Sequence, residues 1–424
     1  MEKLDTREWL LTNGLGSFAS GTVGDAHTRT YHGWLIAALD PPSQRQLLLS
    51  HIDASLEVEG YHYDLNTNYW KSGEVGPEGY RWLQSFLPSP VPTWTWAKEP
   101  WRFCRRLLLP HWTCTLVMDQ PSSPTPFSTL VQARLDWGES PAVHALTDYH
   151  PSSTQLYGCH RVLIHYQYEG QSPAVLTLRP LIGDRFFHHQ QRATEQLQFS
   201  QVVTQQHLLL QAIRPQWSGT PWSLRWTQGT YCPDGLWYWD YCYPEETRRG
   251  LSDTEDLYSP GYLTVMLHPG EAITLEARVG ESPPASELTS ASFDAAILQE
   301  CQRFQQQVIE PSSAYLTGRP FALTLPTGKT LFEPDPSASH GGQVPPADYQ
   351  GRLWARLLYA GDQCLVYRQA NAMPTVIAGY PWFEAWVRQM LMAIPGLTLT
   401  TNRFAVARQL LKSVAQYCER GLIP

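Results

Sequence analysis

No Cys-x-x-Cys pair occurs among the eight cysteines, which stand at 104, 114, 159, 232, 242, 301, 364 and 418. That scatter excludes the usual zinc and dithiol signatures. It points to a reduced, cytoplasmic chain with buried thiols. No apolar run approaches the ~18 residues that a membrane helix needs. The amino terminus, MEKLDTREWLL, has no basic region followed by an apolar stretch, so it does not read as a secretory signal. Charge is also scarce: 17% of residues are charged, against about 25% in ordinary soluble domains. The net charge is -8 and no basic run stands out. A sequence-independent grip on phosphates is therefore excluded, and with it nucleic acid and anionic membranes as partners. Neither a G-x-S-x-G nucleophile motif nor a G-x-x-x-x-G-K-[ST] phosphate loop is present. Gly14 and Gly16 lack the third glycine of a dinucleotide loop.

What the chain has in quantity is aromatic surface: 17 Trp, 21 Tyr and 13 Phe in 424 residues. Such rings stack on sugars, and they also fill the cores of sheet sandwiches; composition favours the core. The length suits two or three domains. Residues 1–290 read as strands separated by turns. Val162, Ile164, Tyr166 and Tyr168 alternate with Leu163, His165 and Gln167, a period of two. Residues 262–268 and 272–278 flank Pro269 and Gly270, a hairpin signal. Residues 208–213 form another strand-length apolar run. The pattern suits a large antiparallel sandwich.

After residue 290 the period changes. Residues 295–308 read as a connecting helix, and the stretch to 346 is rich in Pro, Gly and Ser, a linker or lid-like loop. From Asp348 the spacing is helical, with Leu353, Trp354, Leu357, Leu358, Cys364 and Leu365 as one stripe. A second helix is predicted over 384–394, stopped by Pro395. A third is predicted over 404–418, with Phe404, Ala407, Leu411, Val414, Ala415 and Cys418 on one side and Gly421 as its cap.

Four stretches, in order, carry a family resemblance: Glu8, Trp9 and Leu10 followed by TNGLGSFASGTVGDAHTRTYHG (12–33), RPLIGDRFFHH (179–189), YPEETRRGLSDTEDLYSPG (243–261) and TVIAGYPWFEAWVRQMLMAIPGL (375–397). Together they resemble the prokaryotic-type glycogen debranching enzymes, the amylo-alpha-1,6-glucosidase family. The resemblance implies an α+β multidomain chain. Residues 1–290 would be an N-terminal antiparallel β-sandwich and 291–346 a connecting helix and linker. Residues 347–424 would be the first helices of an incomplete (α/α)6 toroid. It implies hydrolysis of α-1,6 branch points in glycogen or a similar α-glucan, with 4-α-glucanotransferase activity an accompaniment in some members. No cofactor and no metal are expected, because two carboxyl groups suffice for glycoside hydrolysis.

The family's general acid and base are expected on later toroid loops, beyond Pro424. The sugar-binding wall would begin at Tyr380, with Trp382 or Trp386 stacking on glucose and Arg388 donating to hydroxyls. A plainer reading stands beside it: Trp386, Met390 and Ile394 share a helix face and serve as core, and Glu384 with Arg388 forms an i,i+4 surface pair. The resemblance also brings a departure. After Pro-Trp-Phe the family reads Asp-Trp-Gly-Arg-Asp, where this chain has Ala385, Trp386, Val387, Arg388 and Gln389. Both carboxylates are gone, and a neutral Gln389 accepts hydrogen bonds more weakly than a carboxylate.

In the sandwich, Asn13, Arg29, Tyr31 and His32 lie in a Gly-rich region that reaches toward sugar or, on the plainer reading, makes tight turns and fastens the sandwich. Glu245, Glu246, Arg248 and Arg249 read as a charge network joining the domains. Asp253, Glu255 and Asp256 read as solvated loop acids, and His188 and His189 as non-chelating. An inactive α-glucan-binding remnant, or one half of a split enzyme whose partner polypeptide covers the apolar edge at 404–418, is the alternative to an active glucosidase.

Overall fold

A computed structural model of the chain describes residues 4–88, 90–112, 160–280, 288–312, 346–369, 373–420 and 422. Most of the expected linker (313–345), Cys114, Cys159, Gly421 and Pro424 lie outside the described residues.

The first part of the chain is built of strands. They are β1 (Glu8–Thr12), β2 (Phe18–Thr22), β3 (Gly33–Asp40), β4 (Ser43–Val58), β5 (Tyr61–Asp64), β6 (Thr67–Tyr69), β7 (Val75–Glu78), β8 (Leu83–Leu87), β9 (Thr93–Lys98) and β10 (Trp101–Leu108). Then come β11 (Arg161–Glu169), β12 (Ala174–Phe186), β13 (Gln198–Thr204), β14 (His207–Arg214), β15 (Trp217–Ser218), β16 (Trp222–Trp226), β17 (Thr230–Cys242), β18 (Thr254–Leu267) and β19 (Ala272–Val279). One sheet runs β1-β2-β3-β4-β12-β18-β17, with β5 added beside β4; the other runs β13-β14-β16-β19-β11-β10-β9-β8, with β15 beside β14.

One core joins the two sheets. Trp34, Leu48, Leu56, Leu176 and Leu178 of the first pack with Trp96, Phe103, Ile164, Tyr166 and Leu275 of the second. This is the sandwich that the alternating pattern predicts. Residues 162–166 of β11 are nevertheless buried without interruption. Val162, Ile164 and Tyr166 face the other sheet. Leu163 packs instead under a helix with Phe293 and Ala296, and His165 stacks on Phe293 at 5.0 Å. That helix lies over the outer face of the second sheet, which removes the wet side that alternation presumes.

The turn at Pro269 and Gly270 exists, with Glu271 N–H donating to the His268 carbonyl at 2.9 Å. It does not close a hairpin. β18 pairs with β12 and β17, and β19 with β11 and β16. The turn carries the chain from one sheet to the other, so the turn chemistry was legible and the pairing was not. The acids expected on a solvated loop, Asp253, Glu255 and Asp256, are held in place instead. Glu255 and Asp256 lie on β18 rather than on a wet loop. Glu255 is fully buried and takes Arg185 Nη2 at 2.9 Å and the Tyr243 hydroxyl. Asp256 accepts backbone N–H from Asp240 and Ala193 at 2.9 and 3.0 Å. Asp253 is held by Lys71 and Thr247 at 2.9 and 2.7 Å.

The helical part consists of α1 (Pro244–Arg248), within the sandwich, then α2 (Ser290–Phe304), α3 (Pro346–Gln363), α4 (Val387–Ile394) and α5 (Phe404–Ala415). Between α3 and α4 lies a two-stranded ribbon, β20 (Leu365–Arg368) with β21 (Met373–Val376), which the helical spacing concealed. Leu365 therefore belongs to a strand, not to the stripe on α3; Ala355 and Leu358 are the buried pair, while Leu353 and Leu357 are exposed. The second helix starts at Val387 rather than 384 and ends at Ile394 before Pro395, as expected. The backbone then widens over Pro395–Leu399, with Thr400 N–H reaching the Pro395 carbonyl at 3.0 Å. Met390 and Ile394 of α4 meet Ala407, Leu410 and Val414 of α5 and Val376 of the ribbon in a separate small core. The buried face of α5 is thus turned from the expected one: Phe404 and Leu411 are exposed.

Hydrogen bonds fasten this part to the sandwich. Gln363 Nε2 donates to the Leu10 carbonyl at 2.9 Å. Tyr367 N–H donates to Gly14 at 2.8 Å, and Gln369 N–H to Pro41 at 3.0 Å. Gly14 has φ +73°, and a Cβ there would lie 2.1 Å from His111 Nε2. Only glycine fits this tight approach. Among the described residues no helix is long and apolar enough to cross a membrane.

Candidate functional site

The loop at 377–386, between β21 and α4, is the element that joins aromatic rings to charge. Its backbone is held by Ala378 N–H to the Glu384 carbonyl at 3.0 Å and Phe383 N–H to Gly379 at 2.9 Å. Glu384 lies ahead of α4, so the expected pair with Arg388 does not form. Its carboxylate faces Arg45 of β4 instead, at 3.6 Å.

Arg45 is the centre of the arrangement. It is fully buried. Its Nη1 donates to the Pro381 carbonyl at 3.3 Å and its Nη2 to the Phe383 carbonyl at 2.8 Å. The guanidinium also lies over the rings of Tyr380, Phe187 and Phe18 at 5.2, 5.0 and 5.8 Å. Planar, weakly hydrated and rich in donors, Arg suits this ring-lined slot better than Lys would. Beside it, Arg29 sits 5.3 Å over the Trp382 ring, held by Glu8 at 2.6 Å and Glu245 at 3.7 Å. Tyr31 meets Trp382 edge-on at 6.4 Å and bonds His188 Nδ1 at 3.0 Å. Burial holds His188 below its ordinary range.

Of the residues expected from the sequence, the structure therefore brings together Tyr380, Trp382 and Arg29. Trp386 stands at the rim, 47% exposed, with Phe383 5.1 Å away. Arg388 is exposed on the first turn of α4. Asn13 and His32 point inward. The Asn13 side-chain oxygen accepts Leu15 N–H at 3.0 Å, and His32 Nδ1 accepts Thr28 N–H at 3.1 Å. Tyr31, read from the sequence as part of the Gly-rich region, joins Tyr380, Trp382 and Arg29; His188 and Glu384 were read without a place in this site, and Arg45 was missed. Nothing in the strand pattern marks Arg45, because a single Arg in SQRQLLL reads as an outward residue. The Glu245–Arg249 network stays within the sandwich: Arg249 pairs with Glu246 at 3.1 Å, and Glu245 reaches the loop only through Arg29.

Three buried polar atoms of the loop have no hydrogen-bond partner: Tyr380 Oη, Trp382 Nε1 and Glu384 Oε2. Orphaned polar atoms are uncommon in interiors; Tyr380 Oη and Trp382 Nε1 are two donors without a partner, whereas Glu384 Oε2 lies 3.6 Å from Arg45 Nη2 in an ion pair.

A cavity of about 390 Å³ opens on the other side of the joint, between Gly14, Trp112, Tyr367, Gln306 and Arg403. Asp362 in its wall is clamped by Arg303 and Arg403, each at 2.9 Å. Burial works against ionisation there, but the two guanidinium groups prevail and bring the carboxyl down to about 2. Asp362→Asn leaves two buried cations short of one charge. It is expected to lower stability by roughly 3 kcal/mol, read as a lower urea midpoint at pH 7. An unchanged midpoint would mean that the clamp contributes nothing. Among the described residues no group of three His, Cys, Asp or Glu is placed to hold a metal ion.

A family model described as the N-terminal domain of glycogen debranching enzyme matches residues 7–274, and one described as amylo-alpha-1,6-glucosidase matches residues 359–424. The chain belongs to the glycogen debranching enzyme family. Its docked loop lies within the amylo-alpha-1,6-glucosidase match, and Arg45, Arg29 and Tyr31 lie within the N-terminal one. The joint thus unites the two matched regions of a debranching-family chain. No curated protein matches it. Among solved structures, a GalM/aldose epimerase homologue from C. elegans is similar at 10% identity and a TM-score of 0.32, covering 66% of this chain and 100% of that one. A likeness of that size carries no argument about this debranching-family chain.

Proposed function

We propose that the chain acts in hydrolysis of α-1,6 branch points of glycogen or a similar α-glucan, with the loop at 377–386 and the start of α4 forming part of the wall that holds the branch glucose. The observation that carries this reading is the loop itself: it lies in the region matched to amylo-alpha-1,6-glucosidase and leaves Tyr380 Oη and Trp382 Nε1 without hydrogen-bond partners. Those atoms suit sugar hydroxyls, which both donate and accept. Trp386 offers an exposed ring face for stacking, with Arg388 one turn-start away as a donor. Arg29 fixes the Trp382 ring, and Asn13 and His32 support the Gly-rich region from inside. The domain reading is a sandwich over 1–290, a connection over 291–346 and the first helices of an (α/α)6 toroid over 347–424. The setting is cytoplasmic, in keeping with six described cysteines that are all free.

Hydrolysis needs a carboxylic acid on the leaving oxygen and a carboxylate that activates water or attacks the sugar. Inverting enzymes hold the two about 6.5–9.5 Å apart. The loop supplies one carboxylate, Glu384, already committed to Arg45. The general acid and base are assigned to no residue of the loop, and glucan transfer is left aside.

With the acid and base expected beyond Pro424, the purified chain is expected to bind a glycogen limit dextrin, and Trp386→Ala to weaken that binding roughly three- to tenfold through the lost stacking face. Glucose release would place the acid and base within the chain, and absence of binding by a folded sample would remove the glucan reading. Binding without release leaves glucan binding without turnover, a reading favoured by Ala385 and Gln389 where the family pattern has aspartates.

A further inference from the structure

We infer that a second α-glucan contact lies on the far edge of the first sheet, where Trp237 and Trp239 of β17 form a tilted aromatic platform. The inference rests on the proposed glucan function for its ligand class, and on the strand's own geometry for its place. Residues two apart on a strand share a face. Here the two indole rings lie 6.2 Å apart with their planes 39° from parallel. Trp239 is 56% exposed. Trp237 is braced from behind by Tyr258 at 5.2 Å and Phe199 at 6.0 Å, which stack on each other at 4.9 Å and 8°. A rigid braced ring beside a free one costs little ordering entropy on binding.

The tilt selects the ligand. Successive glucose units of an α-1,4 chain turn relative to one another, so a curved chain presents its apolar ring faces at an angle. A flat β-1,4 chain would call for coplanar rings. The residue after Trp239 adds polar groups: Asp240 lies 3.3 Å from Arg192, which also reaches Asp256 at 3.3 Å, and the Asp240 and Arg192 side chains are 61% and 50% exposed. A carboxylate that accepts beside a guanidinium that donates is the pair that neighbouring sugar hydroxyls engage.

A second copy adding a strand at this edge fits less well. β17 is the end strand of its sheet, but its register slips between Pro233 and Leu236 and again between Tyr238 and Tyr241. Pro233 has no N–H to offer, and bulges blunt an edge against strand addition. The exposed aromatic surface is thus available to a ligand that binds through ring faces rather than through backbone.

The test is retardation of the full chain in native gels containing glycogen, with maltoheptaose and cellohexaose as competitors. The platform predicts retardation that maltoheptaose relieves and cellohexaose does not, weakened roughly tenfold or more in apparent affinity by W237A/W239A and by W239A in part. Both side chains lie on an edge strand, and Trp239→Ala removes an exposed ring, so folding is checked by an unchanged thermal midpoint of that variant. Retardation equal to wild type in W237A/W239A overturns the platform, and so does relief by cellohexaose alone. Glucose release from limit dextrin is read separately. Release together with unaltered retardation of W237A/W239A removes the platform and keeps the function. Trp-dependent retardation without release keeps the platform and removes hydrolysis.

Discussion

Arg45→Met is expected to lower stability by about 3 kcal/mol and to undock the loop at 377–386. The methionine keeps much of the buried volume but none of the donors. The Pro381 and Phe383 carbonyls lose partners at 3.3 and 2.8 Å, at about 1–3 kcal/mol for each group left buried and unpaired. Glu384 loses its ion pair, although its partial exposure lets water replace part of that loss. Three ring contacts vanish as well. Because the loop is attached to the sandwich chiefly at this point, loss of Arg45 should also expose Trp382, read as increased quenching of tryptophan emission by acrylamide. Arg45→Lys is the sharper comparison. It keeps the charge but cannot reach two carbonyls and a carboxylate in one plane, and it should recover less than half of the lost stability. A midpoint within 0.5 kcal/mol of wild type, the range of ordinary surface changes, would show that the loop holds its place without Arg45.

That dependence explains why some of the site was legible and some was not. Tyr380, Trp382 and Arg29 sit in motifs that mark themselves by aromatic and glycine content. Arg45 sits in a strand whose neighbours, Leu47, Leu48 and Leu49, announce only a core. Its significance depends on a contact across more than 300 residues, with Pro381 and Phe383, which no local period records. The same limit governs the fold. The strands of β11, β14 and β18 follow from alternation and apolar runs. Which sheet each joins depends on what covers it. α2 covers β11 on its outer face, and β18 parts from β19 although only a four-residue turn separates them. The helices are legible as helices, but their buried faces are turned because the ribbon β20–β21 inserts beside α4 and α5 and takes the place of a neighbouring helix.

The joint also distributes its charges in a consistent way. Glu8 and Glu245 hold Arg29 on one side of the loop, and Arg45 holds Glu384 on the other. Across the joint, Arg303 and Arg403 hold Asp362. The Asp362 pairs are buried and the others half-buried; such pairs add little net stability over well-packed apolar groups, but they resist a shift that separates the partners. The chain uses them where the sandwich meets the helices, which is where a movement of a few tenths of an ångström would displace Trp382.

Acidification from pH 6.5 to 4 is expected to unfold the chain, through histidines buried in their neutral form. His160 shows the mechanism. Its Nδ1 shares a hydrogen bond with Ser17 Oγ at 2.6 Å, and Ser17 Oγ also accepts Ala38 N–H at 2.8 Å. The ring is fully buried, so a second proton on it would place a charge in the interior. Burial accordingly holds His160 and His32 down to about 3 and His165 to about 4. His27 and His111 are lowered for the same first reason. Each of these groups is protonated in the unfolded chain below about 6.5 and not in the folded one, so the unfolded state binds more protons and stability falls as pH falls. One buried group acts in the opposite sense. Desolvation lifts Asp184 to about 6, so the folded chain keeps a proton there that the unfolded one releases down to about 4, offsetting one histidine. With about 1.4 kcal/mol per proton and pH unit, His32, His160 and His165 less Asp184 leave a slope of roughly 3 kcal/mol per pH unit between pH 6 and 4. Over two units that is on the order of 5 kcal/mol, comparable to the whole stability of an ordinary domain. Urea midpoints at pH 7, 6 and 5 measure the slope, and His165→Gln, which stays neutral, should reduce it by about 1.4 kcal/mol per unit. A stability that is level from pH 7 to 4.5 would mean that water reaches these rings and that the interior drawn around them is looser than the structure has it.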